Sequence, residues 1–529
     1  MKKQIIIVLV FLLIQTLSAQ NRPLGFQLDG TAGVQAGIDV LPAGNTINAI
    51  LVVGDTVWIG TSRGLSKTTD QGASWTNYYN TPAFGSESIS AIAYDYATAT
   101  VYASTAHSVN KTGQDLPEGS GLRYSKDNGA TWQTIPQPID KQSDSVIQYG
   151  VNSLRALPVT VAVQNIIYDI AIAPSGLYVA TFAGGLRRTT DNGVTWERVV
   201  LPPDNSSSIS PTDTLNFCLA PVGGKFCSSG NLNHRVFSVM AVSDTIWVGT
   251  ANGINKSVDG GISWKKYNHQ NQVLPISGNF VVSLGYSPAH GIIYAGTWKA
   301  EDQNEYYGLS YSTDWGKSWH TNLHGEKVHN ITASPNKTVV VTDNGPLMSL
   351  DMGKSWLHPG TIRDAVSKLP LYADVFYSAS FSVNGARLYL GSTQGLVSVG
   401  TFGTTFDNDW KLFFTSQPLK AKDESYAFPV PFSPKNEYVK IKYSTGGKSL
   451  PVTIRIYDFG MNYVRTIIQQ TQRGSNTHQV AGDTQAGNAV IDFWDGKDDS
   501  GSIVPNGVYF YRIEAGDEEP MFGKIVVLQ

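Results

Sequence analysis

The sequence predicts an all-β chain: a closed ring of seven small antiparallel sheets followed by a compact β-sandwich. Three observations predict it. An eight-residue phrase recurs six times, as TTDQGASW (68–75), SKDNGATW (125–132), TTDNGVTW (189–196), SVDGGISW (257–264), STDWGKSW (312–319) and SLDMGKSW (349–356). A second phrase, apolar-aromatic-apolar-small-Ser/Thr, precedes each copy. After the last copies the repeats give way to alternating strands with Gly, Asp and Pro turns. Copies spaced about 40 to 70 residues apart are the sign of an array of small β-units.

The eight-residue phrase has a local logic. Its Asp (Asp70, Asp127, Asp191, Asp259, Asp314 and Asp351) accepts hydrogen bonds from backbone N–H groups just downstream and ties off a tight turn. The Gly two residues on supplies a positive φ. The Trp opens the next strand, where burial contributes on the order of 2–3 kcal/mol. A D-x-G lacks the repeated acidic ligands of a calcium loop, so these six residues are read as structural and not as a metal site. The phrase resembles the Asp-box, the turn between the third and fourth strands of a blade in one class of β-propellers.

The second phrase completes the count. It reads VWIGT (57–61), VYAST (101–105), LYVAT (177–181), IWVGT (246–250) and IYAGT (293–297), with TVVVT (338–342) and LYLGS (388–392) as weaker members. The seventh is followed by a degenerate box ending at Trp410. Further β-rich runs precede these phrases, among them INAILVV, IIYDIAI and VFSVMAV, so each unit reads as a four-stranded blade. The propeller is expected over 47–414. Residues 20–46 would add an outer strand or pack on the ring.

Loop lengths indicate a working face. With strands A to D running outward from the axis, the A–B and C–D turns share one face and the B–C and D–A loops the other. The C–D turns are the boxes, and the A–B turns are short as well. The long insertions fall in the other class: 106–119 and 298–307 between B and C, and 136–160, 201–234 and 358–371 between D and A. Long loops on a rigid scaffold carry function, so binding is expected on the face opposite the boxes.

Composition and address are consistent with an extracellular protein. The 529 residues carry a net charge of −3 with only 15% charged side chains, and no basic stripe points to nucleic acid. Lys2 and Lys3, an apolar run and Leu17-Ser18-Ala19 read as a signal peptide over 1–19, with no later membrane span. The two cysteines, Cys218 and Cys227, read as a local disulfide in an oxidising compartment. No nucleotide or metal motif is present, and no cofactor is expected.

After a linker at 415–425, the segment 426–529 reads as a small β-sandwich. Its WDGKDDSG…NGVYFYRI stretch and terminal GKIVVLQ resemble the Ig-like domain of flagellar hook-capping proteins and the type A sorting domains of type IX secretion. In that sorting family an aromatic-Pro-Asn-Pro-Phe phrase is common at the start; here Val430 stands in the Asn place of Phe428-Pro429-Val430-Pro431-Phe432. The resemblance implies a secreted or outer-surface protein of a Gram-negative bacterium, with secretion machinery as a partner of this domain.

The Asp-box superfamily that the propeller resembles includes sialidases, xyloglucan-cleaving hydrolases, sortilin-type receptors and photosystem II assembly factors. The box marks the fold and does not choose among them. The sialidase arginine triad has no counterpart phrase. The xyloglucan hydrolases take one carboxylate from each of two propellers, and only one propeller is read here, so their paired geometry does not carry over. Isolated carboxylates on the loop face are Asp140, Asp144, Glu301, Asp302, Glu305, Asp364 and Asp374. Trp298, Glu301, Asp302, Tyr306 and Tyr307 form an aromatic-and-acid cluster suited to stacking on sugars or anchoring a protein. The expectation is therefore a non-catalytic binder of an extracellular glycan or protein, with a polysaccharide hydrolase as the alternative.

Overall fold

The computed structural model describes residues 26–28, 37–39, 41–111, 113–300, 302–365, 370–371, 373–401, 405–406, 408–413, 415, 419, 424–435, 438–474 and 489–529. The expected signal peptide lies outside them, as does Glu301.

Each second-phrase strand is hydrogen-bonded to an antiparallel neighbour on both edges and buried on both faces because the adjacent blades cover it. Thr56–Thr61 is the pattern, with Val57, Trp58 and Ile59 all buried. Around such strands the described residues form seven sheets in A-B-C-D order. The first blade comprises Ile47–Val53, Thr56–Thr61, Gly64–Thr68 and Trp75–Asn77. The second comprises Ser88–Asp95, Thr100–Lys111, Gln114–Ser125 and Gln133–Ile135. The A strands of the remaining blades are Ile167–Ala173, Val236–Val242, Phe280–Ser287, Val328–Ser334 and Phe376–Phe381. In the sixth blade the outer strand is reduced to a bridge between Met348 and Leu357.

The A strands pack side by side in sequence order, and that of the seventh blade packs against Ile47–Val53 of the first, so the ring is closed. Hydrogen bonds run around it from blade to blade. Asn48 Nδ2 donates to the Ile89 carbonyl (2.9 Å), Ser90 Oγ to Ile167 (2.7 Å), Ser238 Oγ to Val281 (3.0 Å) and Ser378 Oγ to Ile47 (3.1 Å). Between the third and fourth blades Val239 N–H donates to Asp169 Oδ2 (3.0 Å), and between the sixth and seventh Ala379 N–H donates to Asn330 Oδ1 (3.1 Å).

The repeated turns add a second set of ties. In the first, Ser74 N–H and Ser74 Oγ donate to the two oxygens of Asp70 at 2.9 and 2.5 Å, while Gly72 N–H donates to Thr68 Oγ1 at 2.9 Å. The Ser74 hydroxyl and N–H hold the Asp70 carboxyl at about 2. Gln71 and Gly72 both have positive φ, a pairing repeated at Asn128–Gly129, Asn192–Gly193, Gly260–Gly261, Trp315–Gly316 and Met352–Gly353. Such a turn exposes a carbonyl to the preceding blade. Lys67 Nζ donates to the Asn128 carbonyl (2.7 Å), Lys256 Nζ to Trp315 (2.9 Å) and, closing the ring, Lys411 Nζ to Gln71 (3.2 Å). The clasp is completed where Thr415 N–H donates to Asn45 Oδ1 (2.5 Å) and Thr415 Oγ1 to the Pro42 carbonyl (2.5 Å).

Two described pieces of the N-terminal segment pack in different places. Gly37–Asp39 pairs antiparallel with Trp75–Asn77 as a fifth, outer strand. Residues 26–28 instead reach the axis, where Phe26 packs on Ala106 and Ile166.

The C-terminal part is a sandwich of two antiparallel sheets. One holds Ser425–Phe428, Val439–Ser444 and Ala489–Trp494; the other holds Tyr463–Arg473, Leu450–Tyr457, Gly507–Ala515 and Met521–Val527. Phe432, Ile441, Tyr443 and Trp494 meet Ile454, Ile456, Tyr511 and Ile513 in its core. Arg473 of one sheet grips Asp492 of the other (2.7 Å), and Tyr443 Oη donates to the same carboxylate (2.7 Å).

Candidate binding face

Chain direction places the start of each A strand, with the B–C and D–A connections, on one end of the ring. The elaborations there are more ordered than loops. The 106–119 segment extends strands B and C into a projecting hairpin, with Lys111 paired to Gln114. The 136–160 loop contains a hairpin, Val146–Tyr149 with Asn152–Ala156. Its second strand pairs in parallel with Cys218–Leu219 of the 201–234 loop, so two long loops share one sheet. Cys218 and Cys227 are bonded, with Cα atoms 5.9 Å apart. Arg155 caps this cover, donating to the Phe226 carbonyl (2.6 Å). Beyond the sheet, Ser208–Ile209 runs outward and pairs with Trp264–Tyr267, as a fifth strand of the fourth blade.

Most described carboxylates of this face are engaged in holding it together. The Asp140 side chain is buried and accepts a two-pronged bond from Arg187 (2.6 and 3.0 Å), with Arg198 at 3.5 Å and the Val159 N–H at 2.7 Å. Burial opposes its ionisation, but these cations and donors hold its carboxyl below the usual range. Glu305 is buried too, and accepts from Asn279 N–H (3.1 Å), Asn279 Nδ2 (2.7 Å) and Ala300 N–H (2.7 Å). Asp364 accepts from Leu412 N–H (2.9 Å) and Asp144 from Lys141 N–H (2.9 Å). Asp374 is exposed.

The predicted aromatic-and-acid cluster divides. Trp298 is the last residue of strand Ile292–Trp298, only 9% exposed, and its Nε1 donates to the Val328 carbonyl at 2.9 Å. Its ring meets His329 edge-on at 5.2 Å and Tyr307 at 6.2 Å, while Lys327 Nζ lies 5.4 Å from the Tyr307 ring. Tyr306 turns to the outer strand, where its hydroxyl bonds Thr321 Oγ1 (2.8 Å) and its ring lies 4.5 Å from His324. Asp302 accepts from Asn304 N–H (2.9 Å) and Gln270 Nε2 (3.2 Å). Trp298 and Tyr307 thus face one group of neighbours and Tyr306 another.

Seven further residues come together that the loop argument did not single out. Every A strand carries a bulge at its second or third residue, which places Asn48, Ser90, Tyr168, Phe237, Val282, His329 and Tyr377 around the mouth of the axial channel. Their signal is the opening of each A strand: INAI, ISAI, IYDI, VFSV, VVSL, VHNI and FYSA, an apolar residue, a variable one, a small or polar one and another apolar residue. Aromatic rings line much of this mouth. Phe26 lies 5.5 Å from Tyr168, Tyr168 5.8 Å from Phe237, Phe237 5.7 Å from Phe280, and His329 5.1 Å from Tyr377. Within the wall, burial raises the Asp169 carboxyl to about 7 against the pull of two backbone N–H donors. The channel holds a cavity of about 270 Å³.

Neither a family model nor a curated protein sequence matches the chain. Solved structures do match its fold. It is 13% identical to an ancestral GH74 enzyme, with a TM-score of 0.50 over 94% of this chain and 63% of that one. It is 14% identical to the GH74 xyloglucanase from Xanthomonas campestris (TM-score 0.48, 78% of this chain and 59% of that one). It is 13% identical to PorZ, a bacterial surface component of the type IX secretion system of Porphyromonas gingivalis (TM-score 0.31, 90% of this chain and 64% of that one). The chain therefore spans about three fifths of the length of each of these proteins. Identities this low speak to fold alone: this chain has the β-propeller architecture.

Proposed function

We propose that the chain is a secreted or outer-surface propeller that binds an extracellular protein or glycan through its loop face and performs no chemistry on it. The observation that carries this reading is the asymmetry of the ring. Six near-identical turns occupy one end, whereas the hairpins, the disulfide-bonded cover and a mouth of aromatic rings occupy the other. Aromatic side chains anchor both sugars and proteins. The loop-face carboxylates Asp140, Glu305 and Asp364 are held by backbone and guanidinium donors, which supports recognition over acid–base cleavage.

In this reading the 426–529 sandwich is the sorting-type export domain, and secretion machinery is its partner. No helix among the described residues is long and apolar enough to cross a membrane. A glycan array and affinity capture of cell-surface proteins test the binding role. Tyr307→Ala and Trp298→Ala are expected to weaken the ligand found at least tenfold. Tight binding untouched by either would remove these two residues from the site. Release of reducing ends from polysaccharide, abolished by one loop-face Asp or Glu substitution, would overturn the non-catalytic reading.

A further inference from the structure

The axial channel already holds a piece of polypeptide, and the manner of its holding is that of a ligand. Phe26 is 6% exposed, seated between Tyr168, Ala106 and Ile166. One residue on, the side-chain amide of Asn48 reads the backbone. Gln27 N–H donates to Asn48 Oδ1 at 3.1 Å, and Asn48 Nδ2 donates to the Gln27 carbonyl at 2.9 Å. The Gln27 side chain itself is exposed, so nothing in this contact depends on its identity. An aromatic side chain in an apolar seat, followed by one amide and one carbonyl held together, is how an extended peptide is recognised without reading every residue.

The resident segment serves only part of the mouth. Its contacts lie on the first three blades. On the opposite side, His329 Nδ1 and Ser283 Oγ are buried in the channel wall with no hydrogen-bond partner among the described residues. Such groups are costly to leave unmet in a folded protein. The ring of bonds joining A strands has its one gap at Ser283, among the described residues. Phe26 leaves part of this channel open, since the cavity it lines extends to residues of the fifth, sixth and seventh blades.

We propose that the loop-face mouth of the channel is a peptide-binding site. It takes an extended segment with a phenylalanine-class side chain beside Tyr168 and the following backbone amide and carbonyl on Asn48. Residues 26–28 are the resident occupant, which an external segment of the same pattern displaces. This deepens the binding reading above and rests on it only for the choice of face.

The test uses the full chain carrying Phe26→Ala and Gln27→Pro, which removes the anchoring ring and the N–H donor while leaving Asn48 and the wall intact. The probe is a fluorescent peptide copied from residues 23–30, followed by anisotropy. Saturable binding to this variant is expected, at least tenfold weaker binding to the unaltered chain, where the tethered segment competes at high effective concentration. Replacing the peptide's phenylalanine with alanine, or methylating the amide nitrogen after it, is expected to cost at least tenfold. Absence of saturable binding to a variant that still unfolds cooperatively would overturn the proposal, as would binding indifferent to both peptide changes. Should the double variant not fold, Gln27→Pro alone replaces it with the same expectations. Tyr307→Ala keeps the two readings apart. If it abolishes capture of the array or cell-surface ligand but leaves peptide binding intact, this site stands independently. If the peptide fails while that ligand is still captured, this site falls and the general reading survives.

Discussion

Phe413 lies directly against Gly72, although 341 positions of chain separate them: a Cβ on Gly72 would come within 2.2 Å of the Phe413 ring. The contact joins the last blade to the first, and it has counterparts around the ring. Gly129 meets Trp58 and Tyr78, Gly193 meets Ile135, and Gly316 meets Trp247. The glycine of the repeated turn is therefore required twice, for its positive φ and for the side chain of the preceding blade.

These two requirements separate experimentally. At Gly353 the nearest atoms to a new Cβ are 3.6 Å away, leaving only the cost of φ +93°. Gly353→Ala is expected to destabilise by about 1–2 kcal/mol, and Gly72→Ala or Gly129→Ala by about 1–3 kcal/mol more from overpacking. Denaturant titration of the three variants checks this. Equal losses would mean that the contact with the preceding blade is easily relaxed.

Breaking the Asp140–Arg187 pair is expected to be severe. Both side chains are nearly fully buried, at 5% and 2% exposure, so removal of one leaves the other uncompensated. Asp140→Ala should cost about 3–5 kcal/mol. A double variant with apolar residues at both positions should recover much of that loss. Thermal melts of the single and double variants decide the matter, and a double variant no better than the single would contradict it.

Asp169 sets a pH dependence of opposite sign to that of the repeated turns. Burial raises its folded pKa to about 7, above its unfolded value of about 3.9. Its contribution is therefore fully present below about pH 4 and declines as pH rises to about 7. The turn carboxylates Asp70, Asp127, Asp191 and Asp351 are held at about 2, foremost by hydroxyls four residues on. Their contribution is present above about pH 4 and lost as pH falls towards 2. Asp169→Asn should flatten the slope of stability between pH 4 and 7 without altering the acid limb. A melting temperature measured against pH for both proteins tests the slope, and an unchanged slope would show that Asp169 does not titrate in this range.

If the 426–529 sandwich serves as an export tag, mature protein recovered from culture medium should lack everything after about residue 425. Intact mass measurement reads this directly. Full-length protein throughout would instead make the sandwich a permanent module.

Much of the architecture was legible because it is written in short-range chemistry. The Ser/Thr, Asp and Gly of the repeated turn satisfy one another within seven residues, and buried runs such as Val57-Trp58-Ile59 need a neighbour on either side. The loop-face cluster was legible only as a list of residue types. Trp298 belongs to a strand end and bonds Val328, and Glu305 is a buried acceptor for Asn279 and Ala300, because neighbouring segments supply partners that no spacing announces.

By itself the sequence determined the blades, their number and which end of the ring is elaborated, since turn chemistry and strand alternation are local and repeat with the chain. The tertiary structure alone decided what stands at the axis. Asn48, Tyr168, Phe237, His329 and Tyr377 are scattered along the chain, and they become neighbours only because ring closure brings the bulges of the A strands to one rim. The same closure creates an apolar seat and turns the Asn48 side-chain amide towards it, and Phe26 and the Gln27 backbone occupy the two.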